Sequence, residues 1–279
     1  MKTIVGIDIG GSTTKISGFF EGKLLKCIQV EASNPIACLF GAFGQFLTEN
    51  ELDLGDIAEI HLTGVGSSGV LKPIYGIPTY KVDEFVANGV GGRYFAKEDK
   101  SVVVSMGTGT SYVLAEGDKL SHLGGIAIGG GTIVGLSKLL LNTQDIDAIR
   151  AMARQGDYRQ VDLLIGDISK HPLPGLNLKV TAANFGKVEE MASKEDIAAG
   201  IVHMVLENLC HTGTLIAQDK GVKEFILIGS LANFEECEFI AQECAELAGE
   251  GVYFVIPEYA GFATSIGAAL VASTDCKRV

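Results

Sequence analysis

Apolar residues along this chain fall into two rhythms: short β-branched runs that read as buried strands, and a three-to-four spacing that reads as helix. Residues 3 to 9, led by Ile4, Val5 and Ile7, predict a buried strand. Ile16 to Phe20 predicts a second; a turn follows at Glu21-Gly22, and Leu24 to Val30 continues as strand. Leu39, Phe43, Phe46 and Leu47 recur at helical spacing over Leu39 to Glu49. Ile57 to Thr63 reads as a strand and Tyr80 to Tyr94 as a helix. After a charged break at Lys97 to Lys100, the runs Ser101 to Ser105 and Tyr112 to Ala115 are strands again. Amphipathic helices are predicted for Thr132 to Leu141, Ile146 to Arg154 and Val161 to Ile168. The prolines of His171-Pro-Leu-Pro-Gly175 exclude helix, so that stretch is a loop. Ser193 with Asp196 three residues on resembles a capping box opening a long helix to about Lys220. Glu224 to Gly229 and Gly251 to Ile256 are strands, and Gly261 to Ala272 is a small-residue helix.

Glycines punctuate this pattern where chemistry is expected. Behind the first strand stands Asp8-Ile-Gly-Gly-Ser-Thr-Thr-Lys15. Gly10 and Gly11 remove two Cβ atoms where the chain must turn back sharply. Backbone N–H groups in such a turn can face a phosphate; Ser12, Thr13 and Thr14 add hydroxyls, and Lys15 adds a charge. Asp8, at the strand end, is placed to hold Mg²⁺. About a hundred residues later the pattern repeats as Met106-Gly107-Thr108-Gly109-Thr110-Ser111, and Gly129-Gly130-Gly131 opens the segment from Thr132 and Ile133. Two strand–glycine–strand hairpins and a glycine turn at a helix start suit a nucleotide held between two related domains. A P-loop is excluded because GxxxxGK[ST] is absent; a dinucleotide fold fits poorly because both hairpin glycine turns lead into strands.

The 279 residues carry a net charge of −12, which disfavours nucleic acid and anionic membranes as partners. No signal peptide precedes the first strand and no apolar run reaches spanning length, so a cytoplasmic location is expected. None of the six cysteines stands in CxxC or at metal-ligand spacing to a histidine, which suits buried thiols in a reducing compartment.

Ten motifs, in order, span nearly the whole chain: DIGGSTTK at 8–15, TGVGSSG at 63–69, VDEF at 82–85, MGTGTS at 106–111, GGIAIGGGTIVGL at 124–136, MARQGD at 152–157, TAANFG at 181–186, SKEDIAAGIV at 193–202, LIGS at 227–230 and GFATSIGA at 261–268. In these the chain resembles the type II pantothenate kinases, within the superfamily of acetate kinases, sugar kinases and actin. The resemblance implies an α/β, two-domain actin-like ATPase (ribonuclease H-like) fold, with domains at 1–98 and 99–279 and an ATP cleft between the lobes. It implies ATP and Mg²⁺ at Asp8 to Lys15, a second phosphate loop at Thr108 to Ser111, and the nucleoside against Gly129 to Ile133 and Ser230. It also implies phosphorylation of a small hydroxyl-bearing substrate, pantothenate or an analogue, on the way to coenzyme A, and a homodimer. The stripe Ile197, Ile201, Val205 and Leu209 on the long helix could form that dimer or pack on its own domain.

Two departures fall on the acceptor side. Lys72 stands where the family places a glutamate base, and a protonated lysine cannot take a proton. His122 stands nearest to where the family has an arginine, and lacks its fork and fixed charge. Glu84, rather than Asp83, is the substitute base or hydroxyl ligand expected; both also suit the N-terminus of a helix as plain capping carboxylates. Asn184 is a candidate pocket wall or a turn, His203 and His211 could face a dimer interface, and Arg93 and Arg159 read as solvated charges. The altered residues leave open an ATP-binding regulator or degenerate kinase. An ATPase activator of the 2-hydroxyacyl-CoA dehydratase kind fits less well, since no cysteine lies near residues 124–131.

Overall fold

The computed structural model describes residues 2–31, 34–169, 171, 177–188, 191–249 and 251–279. The loop predicted at His171 to Gly175 lies, apart from His171, outside the described residues. Five layers stack through the molecule. The first sheet is made of β1 (Thr3–Ile9), β2 (Thr13–Phe20), β3 (Lys23–Leu24), β4 (Ile28–Glu31), β5 (Ile57–Thr63) and β6 (Thr79–Lys81). β1 runs antiparallel to β2 and parallel to β5, giving the order β6-β5-β1-β2, with β3 and β4 both on β2. Helix α1 (Pro35–Glu49) covers one face, burying Leu39, Ala42, Phe43 and Phe46 against Val5, Ile7 and Ile9. It starts four residues earlier than its apolar spacing predicts, because Asn34 caps it by accepting from the Ala37 N–H and Pro35 fits the first turn.

The region predicted as one helix from Tyr80 to Tyr94 is strand β6 followed by α2 (Glu84–Arg93). Asp83 divides them: its carboxylate accepts from the N–H groups of Phe85 and Val86 at 2.9 and 3.2 Å. The second sheet comprises β7 (Lys100–Met106), β8 (Thr110–Glu116) and β9 (Lys119–Ile126) as an antiparallel meander. Its far face carries α3 (Gly130–Leu141) and α4 (Ile146–Gln155). Val161 to Ile168 is not the amphipathic helix its spacing predicts. Leu163 and Leu164 form β10, a four-residue helix α5 (Ile165–Ile168) follows, and β11 (Thr181–Ala183) pairs back onto β10. The Asp162 carboxylate, accepting from the Phe185 N–H at 2.7 Å, holds that hairpin and takes residue 162 out of any helical pattern.

Helix α6 (Lys194–Lys220) confirms the capping box, with Ser193 and Asp196 exchanging hydrogen bonds, and it ends on Gly221 in a left-handed conformation. Strands β12 (Glu224–Ile228) and β13 (Tyr253–Val255) join the second sheet parallel to β7. Between them lies α7 (Glu236–Ala248), which the apolar pattern leaves unassigned because two of its buried positions, Cys237 and Cys244, are cysteines. The stripe Ile201, Val205 and Leu209 is fully buried in the core of its own chain, with Ile197 packed beside it. That stripe is therefore not a dimer face. His203 is buried as well, against Tyr158 and Asp162, and does not face an interface.

The chain then returns across its expected 98/99 division. Helix α8 (Ala263–Leu270) lies on the first sheet, and β14 (Lys277–Arg278) extends that sheet beyond β6. α2 and α8 form the middle layer between the two sheets, and they touch backbone to backbone. A Cβ on Gly91 would sit 1.8 Å from the Ala263 carbonyl oxygen, and one on Gly267 would sit 1.9 Å from that of Ala87. Gly91→Ala is accordingly expected to destabilise by about 3 kcal/mol or more, since no flexible side chain can yield. Thermal unfolding beside Gly44→Ala, where an added Cβ meets nothing within 4 Å, checks this; the control should be neutral or stabilising.

Candidate active site

The strand ends of both sheets meet at one cleft. On β1 and β2, Asp8 and Lys15 are directly opposed in the antiparallel register, and Thr63 of β5 stands level with Asp8 on the other side. The alternation of strands puts Val5, Ile7 and Ile9 into the α1 core and leaves Gly6, Asp8, Lys15 and Ser17 on the other face. Below Asp8 that face is sealed by α8: Ser17 hydrogen bonds to Ser265, and the Ala268 carbonyl meets Nδ1 of His61 at 2.9 Å. Above it the face opens into the cleft.

Asp8 is the centre of the site. Gly64, at φ +82°, brings its backbone so close that a Cβ would lie 2.5 Å from Oδ1 of Asp8. Among the described residues the Asp8 carboxylate has no hydrogen-bond or ion-pair partner, and the hydroxyl of Thr63 is buried without one. Burial pushes the Asp8 carboxyl up to about 6, the Lys15 charge opposes the rise and the Glu84 charge adds to it. Burial likewise draws Lys15 below its ordinary value, against the pull of Asp8. Lys15 does not turn to Asp8. Its ammonium donates to Oγ of Ser230, in the second lobe, at 2.9 Å.

Three glycine segments of the second lobe pack against one another here. The Gly107 N–H donates to the Gly109 carbonyl, and those of Gly130 and Gly131 donate to the carbonyls of Gly107 and Thr108 at 2.8 and 2.9 Å. A Cβ on Gly129 would lie within 2.9 Å of three backbone atoms of residues 107–109, so the helix start and the hairpin tip are fixed as a unit. Thr132 caps α3 by accepting from the Gly129 N–H, and Thr110 donates to the Ile128 carbonyl at 2.9 Å. Ile133 is buried in the lobe's core and supports the turn from below. Ser230 follows Gly229, whose left-handed φ of +96° brings it against Met106. Thr108 and Gly109 remain exposed to the cleft. Gly10 closes the first hairpin with an N–H to the Thr13 carbonyl, and Gly11 and Ser12 are exposed at its tip.

Glu84 opens α2 at the cleft mouth, near enough for its charge to bear on Asp8. Its own carboxyl is held above the ordinary range by burial and by Asp83. The next residue, Phe85, stacks on His122 with ring centroids 3.7 Å apart. This pair joins Glu84 and His122 into one wall, a relation no local motif announces. Lys72 stands apart, exposed after the Gly64–Gly69 turn, and forms no hydrogen bond or ion pair among the described residues. Thr14 is buried, with its hydroxyl unpartnered, inside the first sheet. Asn184 belongs to a separate cluster, bonded to Glu207 and Asn208 and near Asp162. Arg159 is engaged by Asp157 at 2.7 Å, and Arg93 lies 3.7 Å from Asp118.

Residues 80–271 match the profile of the Fumble family. A type II pantothenate kinase of Bacillus cereus (strain G9842) is 30% identical over 98% of this chain and 100% of its own length. Another, from Bacillus thuringiensis subsp. konkukian, is 32% identical over 82% of this chain and 83% of its own. Among solved structures, the activator of 2-hydroxyisocaproyl-CoA dehydratase from Clostridium difficile with bound ADPNP superposes at TM-score 0.68 and 14% identity, covering 98% and 95% of the two chains. A ROK family glucokinase from Streptomyces griseus in complex with glucose and AMPPNP gives 0.59 at 15%, over 96% and 98%. These low-identity likenesses establish the two-lobe actin-like ATPase fold.

Proposed function

The chain belongs to the type II pantothenate kinase family, ATP-dependent phosphotransferases with an alcohol acceptor, and we propose that it phosphorylates pantothenate or a close analogue in coenzyme A synthesis. The observation that carries this reading is the meeting of Asp8, Lys15 and Glu84 from one lobe with Ser230 and the 107–109 and 129–131 glycine turns of the other. Phosphoryl transfer needs positioning and neutralisation of charge more than covalent chemistry. Backbone N–H groups, hydroxyls and one ammonium supply both.

In this reading Asp8 holds Mg²⁺. An unpartnered carboxylate beside an orphaned buried hydroxyl, Thr63, fits a cation with its water ligands. The ion would neutralise phosphate charge. Lys15 and the hydroxyls of Ser12 and Thr13 face the phosphates from the first lobe; Thr108, Gly109 and Gly131 face them from the second. Glu84 takes the proton of the acceptor hydroxyl, whose oxygen bonds to the γ-phosphorus as the bond to the ADP leaving oxygen breaks. The Phe85–His122 wall borders the acceptor. We place Lys72 at the outer rim, as a contact for an acceptor's anionic group, and Asn184 in support of the second lobe.

The experiment is a coupled ATP-consumption assay over pantothenate, pantetheine, pantoate and sugars. Mg²⁺-dependent turnover with pantothenate or pantetheine is expected. ATP binding without turnover of any acceptor would favour the regulator, a reading that Lys72 and His122 motivate. A homodimer remains part of the proposal. Among the described residues, Leu139 and Leu140 at the end of α3, Leu215 on α6, and Phe239 and Leu247 on α7 are among the large apolar side chains left exposed. A mass near 29 kDa by light scattering at micromolar protein would rule it out. No helix among the described residues is long and apolar enough to cross a membrane. We propose a cytoplasmic location.

A further inference from the structure

Asp8 and Lys15 are cross-strand neighbours of opposite charge, and pairs so placed ordinarily attract and join. Here they do not. The Lys15 side chain, 4% exposed, crosses the cleft to a neutral hydroxyl instead, 2.9 Å away and 215 residues along the chain.

A serine hydroxyl is a weaker partner for an ammonium than a carboxylate, so the arrangement requires Ser230 to be held in place. Its backbone supplies this. Gly229 is locked in a left-handed conformation that any Cβ would break, meeting the Met106 carbonyl oxygen at 2.5 Å. The Gly229 N–H donates to the Ala260 carbonyl at 2.8 Å, and residues 230–233 form a single tight helical turn. Ser230 is thus presented from the frame of the second sheet while Lys15 reaches it from the first.

We propose that Ser230 is a positioning residue for Lys15. It keeps the ammonium on the second lobe and off Asp8, which leaves the Asp8 carboxylate free for a divalent cation. An ammonium paired with that carboxylate would neutralise it and repel the cation. The same bond ties the lobes together at the point where phosphates would lie, so Lys15 is already placed between the two glycine hairpins before a nucleotide arrives. Ser230 then acts through Lys15 and the metal, and not as the nucleoside contact its motif suggests.

This inference rests on reading the cleft as the Mg·ATP site, and the test separates the two. ADP binding is titrated against Mn²⁺, with free Mn²⁺ followed by its paramagnetic resonance signal, and repeated with Mg²⁺ by calorimetry. In Ser230→Ala, Lys15 turns to Asp8, and the metal concentration for half-maximal ADP binding rises about tenfold, the low end for losing an outer-shell partner. Affinity for metal-free ADP falls by a smaller factor, the part due to the displaced Lys15 contact alone. Ser230→Thr, which keeps a hydroxyl, restores the metal dependence. In a Lys15→Met background Ser230→Ala has no further effect on the metal titration, because the side chain it positions is gone. An unchanged metal dependence in Ser230→Ala, or an equal loss of ADP affinity with and without metal, overturns the inference and leaves the cleft as read. A wild type that binds no nucleotide removes the reading of the cleft, and this inference with it.

Discussion

Asp8→Asn should abolish Mg²⁺-dependent nucleotide binding while making the protein without ligand more stable at neutral pH. The two effects share one cause. The Asp8 carboxyl is raised from 3.8 to about 6, mainly by burial. The folded chain therefore keeps a proton that the unfolded chain releases. Stability falls as pH rises between about 4 and 6, and the full penalty, about 3 kcal/mol, stands above that window. Asparagine carries no charge to desolvate, so its melting temperature should exceed the wild type's by a few degrees at pH 7. That penalty is already net of the attraction to Lys15, and the difference should shrink as pH is lowered towards 4. Added Mg·ATP should raise the melting point of the wild type and leave the variant unmoved, with transfer down by about 10²–10³-fold or more. A variant less stable than the wild type at pH 7 would mean that Asp8 serves the fold, not the cation. Such a trade of stability against activity is expected where a polar group is buried for use.

Local patterns made part of this legible. The Asp8–Lys15 hairpin, its echo at Gly107–Ser111, the Gly129–Gly131 helix start and the Ser193–Asp196 cap all lie within a few residues of chain, so sequence spacing sets their geometry. The stripe on α6 was legible as apolar but ambiguous as to partner. A helix buried on most sides shows the same period whether a sheet or a second subunit covers it. The relations that assemble the site span long stretches of chain. Lys15 meets Ser230 across 215 residues, and Glu84 bears on Asp8 because α2 and α8 pack through Gly91 and Gly267. Those glycines show nothing in sequence beyond small size. β14 was illegible for another reason: two exposed, charged residues at the edge of a sheet have no apolar alternation to read.

Glu84→Gln should lower kcat by about 10²–10⁴-fold, the usual cost of losing a general base, with Mg·ATP affinity nearly unchanged. The substitution spares the fold because α2 is capped by Asp83, not by Glu84. Burial and the neighbouring Asp83 hold the Glu84 carboxyl above its ordinary 4.5. A base must be unprotonated, so wild-type turnover should fall as pH drops through that raised value, and the glutamine variant should lose this limb of its profile. Lys72 gives the contrasting result. It is exposed and unpaired among the described residues, so Lys72→Ala should alter KM for an anionic acceptor and leave kcat close to the wild type's. Lys72→Glu tests whether the loop after Gly69 can carry the base, as the family's pattern places it. If Lys72→Glu raised pantothenate turnover while Glu84→Gln left it intact, the base would belong to that loop. If both carboxylates supported turnover, the double variant Glu84→Gln with Lys72→Glu would keep the activity that Glu84→Gln alone loses. The expected result is that it does not, because Glu84 stands in the cleft wall beside the stacked Phe85 and His122, whereas position 72 is exposed and apart from them.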